Sequence, residues 1–188
     1  AAAKPLPVLR YAMLLHDLGK PETFALDGEG HGHFYGHWRR SVPLAQAILD
    51  RLRVDNRSKR VILTLVERHD CPLPLSEKSV RRNLARYGEE TLRLLLEVKR
   101  ADNLAQAEAY RDRQMLIRQW EELLELVLAG GACFSLGQLA VKGNDLTALG
   151  LKGLEVRVAL KELLELVIDE KLPNDRGLLV EYVKEKLL

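Results

Sequence analysis

Apolar residues recur every three to four positions along almost the whole chain, and no convincing run of alternating apolar and polar residues interrupts them. That 3.6-residue period marks one face of a helix, so it predicts an all-α fold. Composition agrees, being rich in Leu, Glu, Lys and Arg and only 5% aromatic, because straight side chains lose little rotamer freedom on a helix. The spacing predicts a first helix from Val8 to Leu18, ended by a left-handed Gly19, with Pro21 blocking continuation. Residues 23–36 ("TFALDGEGHGHFYG") read as a glycine-rich loop. A second helix reaches Leu52, with Ser41 as its N-cap and Leu44, Ala45, Ile48, Leu49 and Leu52 buried. Further helices run from Ser58 to Arg68, from Ser76 to Gly88, and from Glu90 through Asp102. Another ends at Gly130-Gly131, one runs from Leu154 to Glu170, and the last is capped by Asn174. The Gly-Gly stop suggests a helical domain over 1–130 and a helical tail module over 131–188.

A chain of 188 residues can bury a real core. It has no stretch of roughly 20 apolar residues to span a bilayer and no signal-peptide pattern, so a cytoplasmic protein is expected. Cys71 and Cys133 are too few and too isolated for a disulfide framework or a metal knuckle. The chain starts without Met and enters a core-like helix almost at once, which reads as a fragment of something longer. Net charge is +2 but uneven: from Arg51 to Arg118 there are 16 Lys and Arg against 10 Asp and Glu. A basic middle hints at a phosphate-bearing partner, although a solvated helix face has the same composition.

The chemistry concentrates in a few histidines and aspartates. "YAMLLHDLGK" sets His16 and Asp17 inside an otherwise apolar helix, where an unpaired charge would cost several kcal/mol. Neighbours on a helix lie roughly 100° apart, so both side chains can reach one ion at the helix edge. His69 shares a stripe with Ile62, Leu65 and Val66, and Asp102 shares a face with Leu95 and Val98, so both point inward. His37 closes the glycine loop and is aimed the same way. Any one of these alone reads as a satisfied core residue; their recurrence on four segments reads as a site. Mixed imidazole and carboxylate donors suit a divalent ion such as Mg, Mn, Fe, Co, Ni or Zn. His31 and His33 read as exposed loop residues.

"LLHDLGKP" resembles the motif of the HD superfamily of metal-dependent phosphohydrolases, in which His and Asp on one helix ligate the metal and a distant Asp completes the site. The matching positions are His16, Asp17 and, in "KRADNLAQ", Asp102. The resemblance implies an HD-type helical bundle. It places His37 and His69 as extra ligands of binuclear members, lets Asp17 bridge two metals, and gives Lys20 a substrate phosphate. Arg39 and Arg40 are further candidate phosphate contacts. The tail, above all "GNDL…LG…G" from Gly143 to Gly153, is similar to the C-terminal segment of bacterial CCA-adding tRNA nucleotidyltransferases that carry an HD domain. In this tail Leu154 and Glu155 stand where relatives commonly have a Pro-containing turn. The family pattern also has a further His ligand upstream and a nucleotidyltransferase head, neither of which falls within these residues, so the fragment alone is not expected to add nucleotides.

The reading that follows is a divalent-metal-dependent phosphohydrolase, acting on a phosphomonoester or a 2′,3′-cyclic phosphodiester, within a tRNA-end-processing protein. Asp17 and Lys20 are its expected catalytic residues. The alternative is an inert HD scaffold that holds tRNA through Arg57, Lys59, Arg60, Arg81, Arg82 and Arg86. A third reading gives the tail helices a role in a homodimer.

Overall fold

The computed structural model describes residues 6–106, 108, 111 and 113–188. They belong to two compact units, Ala1–Leu73 with Glu89–Glu121, and Pro74–Gly88 with Glu122–Leu188. The Gly130-Gly131 pair falls inside the second.

The first unit opens on α1 (Pro7–Leu15), where Pro7 presets the first turn and gives up no hydrogen bond. A one-turn helix α2 (Lys20–Thr23) follows, then a two-residue hairpin pairing β1 (Ala25–Leu26) antiparallel to β2 (Gly32–His33). Gly36, at φ 68°, turns the chain out of the hairpin into α3 (His37–Arg51), a backbone angle that glycine adopts without cost. Next comes α4 (Asn56–Arg68), which packs against both α1 and α3. Leu15, Ala45, Leu49, Ile62 and Val66 form the buried cluster at that junction, each large side chain contributing about 1.5–3 kcal/mol by leaving water. The long α5 (Glu77–Ala105) is broken at Gly88, whose φ of 73° is not helical; the sequence places its two helices on either side of that glycine. Leu92, Leu95, Leu96 and Val98 are buried beyond the break. Trp120 of α6 (Arg113–Ala129) is buried too, and its indole N–H donates to the Leu73 carbonyl at 3.0 Å.

The second unit holds α7 (Gly143–Ala148), α8 (Leu154–Ile168) and α9 (Arg176–Lys186) around Leu139, Val141, Leu146, Leu163, Leu179 and Val183. Acidic side chains start these helices. Asp145 accepts from the Lys142 N–H at 2.7 Å, and Glu155 accepts from the Lys152 N–H at 2.9 Å. Glu155 thus closes the turn at the position where relatives were expected to carry a proline.

The fold is all-α apart from the hairpin, which no periodicity announced because two-residue strands have none. Other details differ from expectation for local reasons. α1 stops at Leu15, and Gly19 is right-handed (φ −83°, ψ −7°), so Pro21 begins α2 instead of ending α1. Ser41 lies inside α3, buried, where its hydroxyl accepts the Gly19 N–H at 2.9 Å. Pro43 sits in the second turn of α3, and Leu44 and Leu52 are substantially exposed. The cap of α9 is Asp175, which accepts from the Leu178 N–H at 3.0 Å; Asn174 instead accepts from the Ala140 N–H and donates to the Gln138 carbonyl.

Asp55 caps α4 by accepting from the N–H groups of Arg57 and Ser58 at 3.0 and 2.9 Å. Replacing it with Ala orphans both donors, so Asp55→Ala is expected to cost about 1 kcal/mol in urea unfolding. An unchanged midpoint would mean that water serves those donors equally well.

Candidate metal centre

Four segments of the first unit converge on one point. His16 caps the C-terminus of α1, Asp17 follows it, His37 is the first residue of α3, His69 caps α4, and Asp102 lies in the last turn of α5. Asp17 is central. Its Oδ2 lies 3.2 Å from His16 Nε2 and accepts from Lys20 Nζ at 2.6 Å, while its Oδ1 is 3.3 Å from His37 Nε2 and 3.9 Å from His69 Nε2. Asp102 Oδ1 stands 3.3 Å from His16 Nε2. Potential donor atoms of His16, Asp17 and His69 all fall within 4.8 Å of one another.

The three histidines share one local device. Each sends Nδ1 to the backbone carbonyl three residues earlier: His16 to Met13 at 2.8 Å, His37 to Phe34 at 2.9 Å, His69 to Val66 at 2.8 Å. A carbonyl can only accept, so each Nδ1 carries a hydrogen and each Nε2 is turned to the cluster, offering a lone pair whenever the ring is neutral. Metal-binding histidines are held in this way, with the second ring nitrogen donating to a fixed acceptor. His37 Nε2 and His69 Nε2 face each other at 2.9 Å. Contact at that distance needs a positive species between the two nitrogens, a shared proton or a bound cation. The donor set therefore fits a divalent cation.

Electrostatics point the same way. Burial alone would push the His16 imidazolium down, but hydrogen bonds to Asp102 and Asp17 outweigh it and raise its pKa to about 9. Asp17, despite a burial cost, is held well below the carboxylate range by His16 and Lys20. Asp102 is also lowered, chiefly by its bond to His16. His69 is pushed down to about 4, first by burial and then by its positive neighbours. The cluster thus concentrates negative charge on two carboxylates while keeping one imidazole neutral.

A cavity of about 700 Å³ opens over the cluster, and Asp17, Lys20, His37, His69 and Asp102 all line it. Arg39 and Arg40 do not. Arg39 packs its guanidinium over Trp38, 5.1 Å from the ring centre, and Arg40 pairs with Glu22 at 3.8 Å. The cavity's second cation is Arg113, at the start of α6, and Gln106 lines it as well while donating to Asp102 Oδ2 at 3.4 Å. Lys99 was also missed: half-buried on α5, it donates Nζ to the carbonyls of His69 and Cys71 and so fixes the end of α4. Burial pushes it down to about 8. The signal for Lys99 lay in its spacing, on the same helix as Leu95 and Asp102; nothing in the sequence marks Arg113. His31 is exposed and His33 lies half-exposed on the hairpin, both beside Asp27.

Known proteins resemble this chain over the same region. An A-adding tRNA nucleotidyltransferase of Deinococcus radiodurans is 40% identical over 83 residues, covering 44% of this chain and 19% of that protein. A CC-adding tRNA nucleotidyltransferase of Thermus thermophilus is 35% identical over 159 residues, 83% of this chain and 35% of its own length. A multifunctional CCA protein of Azoarcus sp. is 34% identical over 134 residues, 68% of this chain and 32% of that protein. The chain thus spans about a third or less of the length of these relatives. No solved structure gives a significant match. The HD domain family matches residues 5–107, which contain all five converging side chains, and the chain belongs to that family.

Proposed function

We propose that this cluster binds a divalent metal ion and hydrolyses a phosphate ester, either a phosphomonoester or a 2′,3′-cyclic phosphodiester. The observation that carries the reading is the set of three histidines with Nδ1 tied to backbone and Nε2 turned toward Asp17 and Asp102, under a cavity that also holds Lys20 and Arg113. A bound ion would polarise the phosphoryl oxygen and lower the pKa of its water. His16, Asp17, His69 and Asp102 hold it, and His37 completes the inward set. The phosphate's charge is met by Lys20, half-exposed on Asp17, and by Arg113 across the cavity. The names of the relatives suggest a tRNA end as the setting, in a cytoplasmic protein. Among the described residues no helix is long and apolar enough to cross a membrane.

The inert tRNA scaffold has weaker support. Of its six basic residues, Arg57 pairs with Glu90, Lys59 with Asp50, Arg81 with Glu77 and Glu170, and Arg82 with Asp169. Those partners neutralise much of the charge that would meet a phosphate backbone.

Elemental analysis of the purified chain beside Asp17→Ala tests the proposal, together with hydrolysis of bis(p-nitrophenyl) phosphate and glycerol 2-phosphate in added Ni, Co, Mn and Mg. Near-stoichiometric metal and turnover are expected in the parent, and Asp17→Ala should retain less than about a tenth of either, as removal of the cluster's central carboxylate predicts. Turnover that survives both the substitution and a chelator would sink the reading, as would a chain that neither retains metal nor turns over either ester.

A further inference from the structure

Building on the proposed phosphohydrolase, we propose that Tyr35 is a stacking platform for a nucleobase, which makes the site's substrate a nucleotide and not a base-free phosphate ester. Tyr35 is 77% exposed, yet it is braced. Its ring lies almost parallel to the His33 imidazole, 13° apart in plane and 4.9 Å between centres. His33 is anchored in turn, with Nε2 2.8 Å from Asp27 Oδ2. The other oxygen of Asp27 accepts from the N–H groups of Glu29 and His31, so one carboxylate closes the hairpin and fixes the imidazole. Phe34, which lines the same cavity, packs 5.5 Å from Phe24 and 5.6 Å from Lys20 Nζ, and Tyr35 stays exposed beside it.

Both His33 and Tyr35 line the same cavity as Asp17, Lys20 and Arg113. That cavity has charged groups suited to phosphate and an aromatic side to which Phe34 and the braced Tyr35 both contribute. A phosphate group alone fills a small part of about 700 Å³, whereas a nucleotide brings both a charge for the cations and a base for the ring. A base offers a π-face whatever its identity, so stacking gives affinity for nucleotides without choosing among them. A free mononucleotide and the end of an RNA strand present this chemistry equally.

Equilibrium dialysis of adenosine 3′-monophosphate against ribose 5-phosphate, with and without added Mn, measures the platform independently of turnover. The nucleotide should bind about 5-fold more tightly or better, the range for one base–aromatic stack. Tyr35→Ala should close that gap with its melting temperature unchanged, and Tyr35→Phe should keep it. Equal binding of the two by the parent chain, absent binding included, overturns the platform, and so does a gap that survives Tyr35→Ala. An affinity gap without ester hydrolysis overturns the phosphohydrolase reading and leaves the platform standing; hydrolysis without a gap does the reverse. Tighter binding of a 3′-phosphorylated trinucleotide than of the mononucleotide assigns the platform to an RNA end, and equal binding assigns it to a free nucleotide.

Discussion

Gly19→Ala is expected to destabilise the first unit by about 3 kcal/mol, the upper end of what a single added methyl costs in a close-packed site. The backbone angle is not the reason, since φ −83° and ψ −7° suit alanine. The obstacle is space. A Cβ at Gly19 would lie 2.2 Å from the His37 carbonyl oxygen and 2.7 Å from both the Ser41 nitrogen and the Arg40 Cβ. Two of these atoms are backbone at the start of α3, so no rotamer change relieves the contact and the corner between α1 and α2 must move away. That movement also stretches the Gly19 N–H bond to the buried Ser41 hydroxyl. It pulls Asp17 from His37, now 3.3 Å apart, so metal retention should fall together with stability. Urea unfolding of Gly19→Ala beside Ser41→Ala separates the two effects. Ser41→Ala loses only a hydrogen bond, costing about 1 kcal/mol. A Gly19→Ala loss no larger than that would mean the corner yields freely and is not what fixes the site.

Gly19 also shows where reading the sequence reaches its limit. A glycine after an apolar helix reads as a left-handed stop, because local sequence carries local conformation and not the approach of a distant helix. The convergence of the candidate cluster was legible for the opposite reason. His16, His69 and Asp102 stand on or beside apolar stripes whose period states which way each side chain points, and three such segments aimed inward leave few ways to pack. Arg113 and Tyr35 were not legible, since neither sits on such a stripe and only long-range packing brings them to the cavity. The same holds for Arg39 and Arg40, adjacent to His37 in the chain yet turned to Trp38 and Glu22. Leu44 and Leu52 were assigned to the core as part of a wide apolar stripe, and α3 instead buries the narrower line of His37, Ser41, Ala45 and Leu49.

A saturating divalent ion is expected to stabilise the chelator-treated chain by about 3–4 kcal/mol, which is what a ligand at some hundred to a thousand times its Kd contributes when it binds only the folded form. The source of the gain is the juxtaposition of His37 and His69, whose Nε2 atoms face each other at 2.9 Å beside Asp17. Folding alone must hold those groups together, and a cation among them repays that cost. Asp17→Ala removes the central charge, so the gain should vanish in that variant. The gain should also depend on pH, with a definite sign. His16 stays protonated up to about pH 9 under the pull of Asp102 and Asp17, and a nitrogen must lose its proton before it can ligate. Binding therefore displaces one proton below that pH, and affinity should fall about tenfold for each unit of acidification from pH 9 toward neutrality. His69, pushed down to about 4, is already neutral across that range and adds no further slope. Thermal unfolding with Mn or Ni across pH 6.5 to 9, beside proton release measured in two buffers of different ionisation enthalpy, reads both quantities. A flat profile would exclude His16 as a ligand, and equal stabilisation of Asp17→Ala would place the ion elsewhere on the chain.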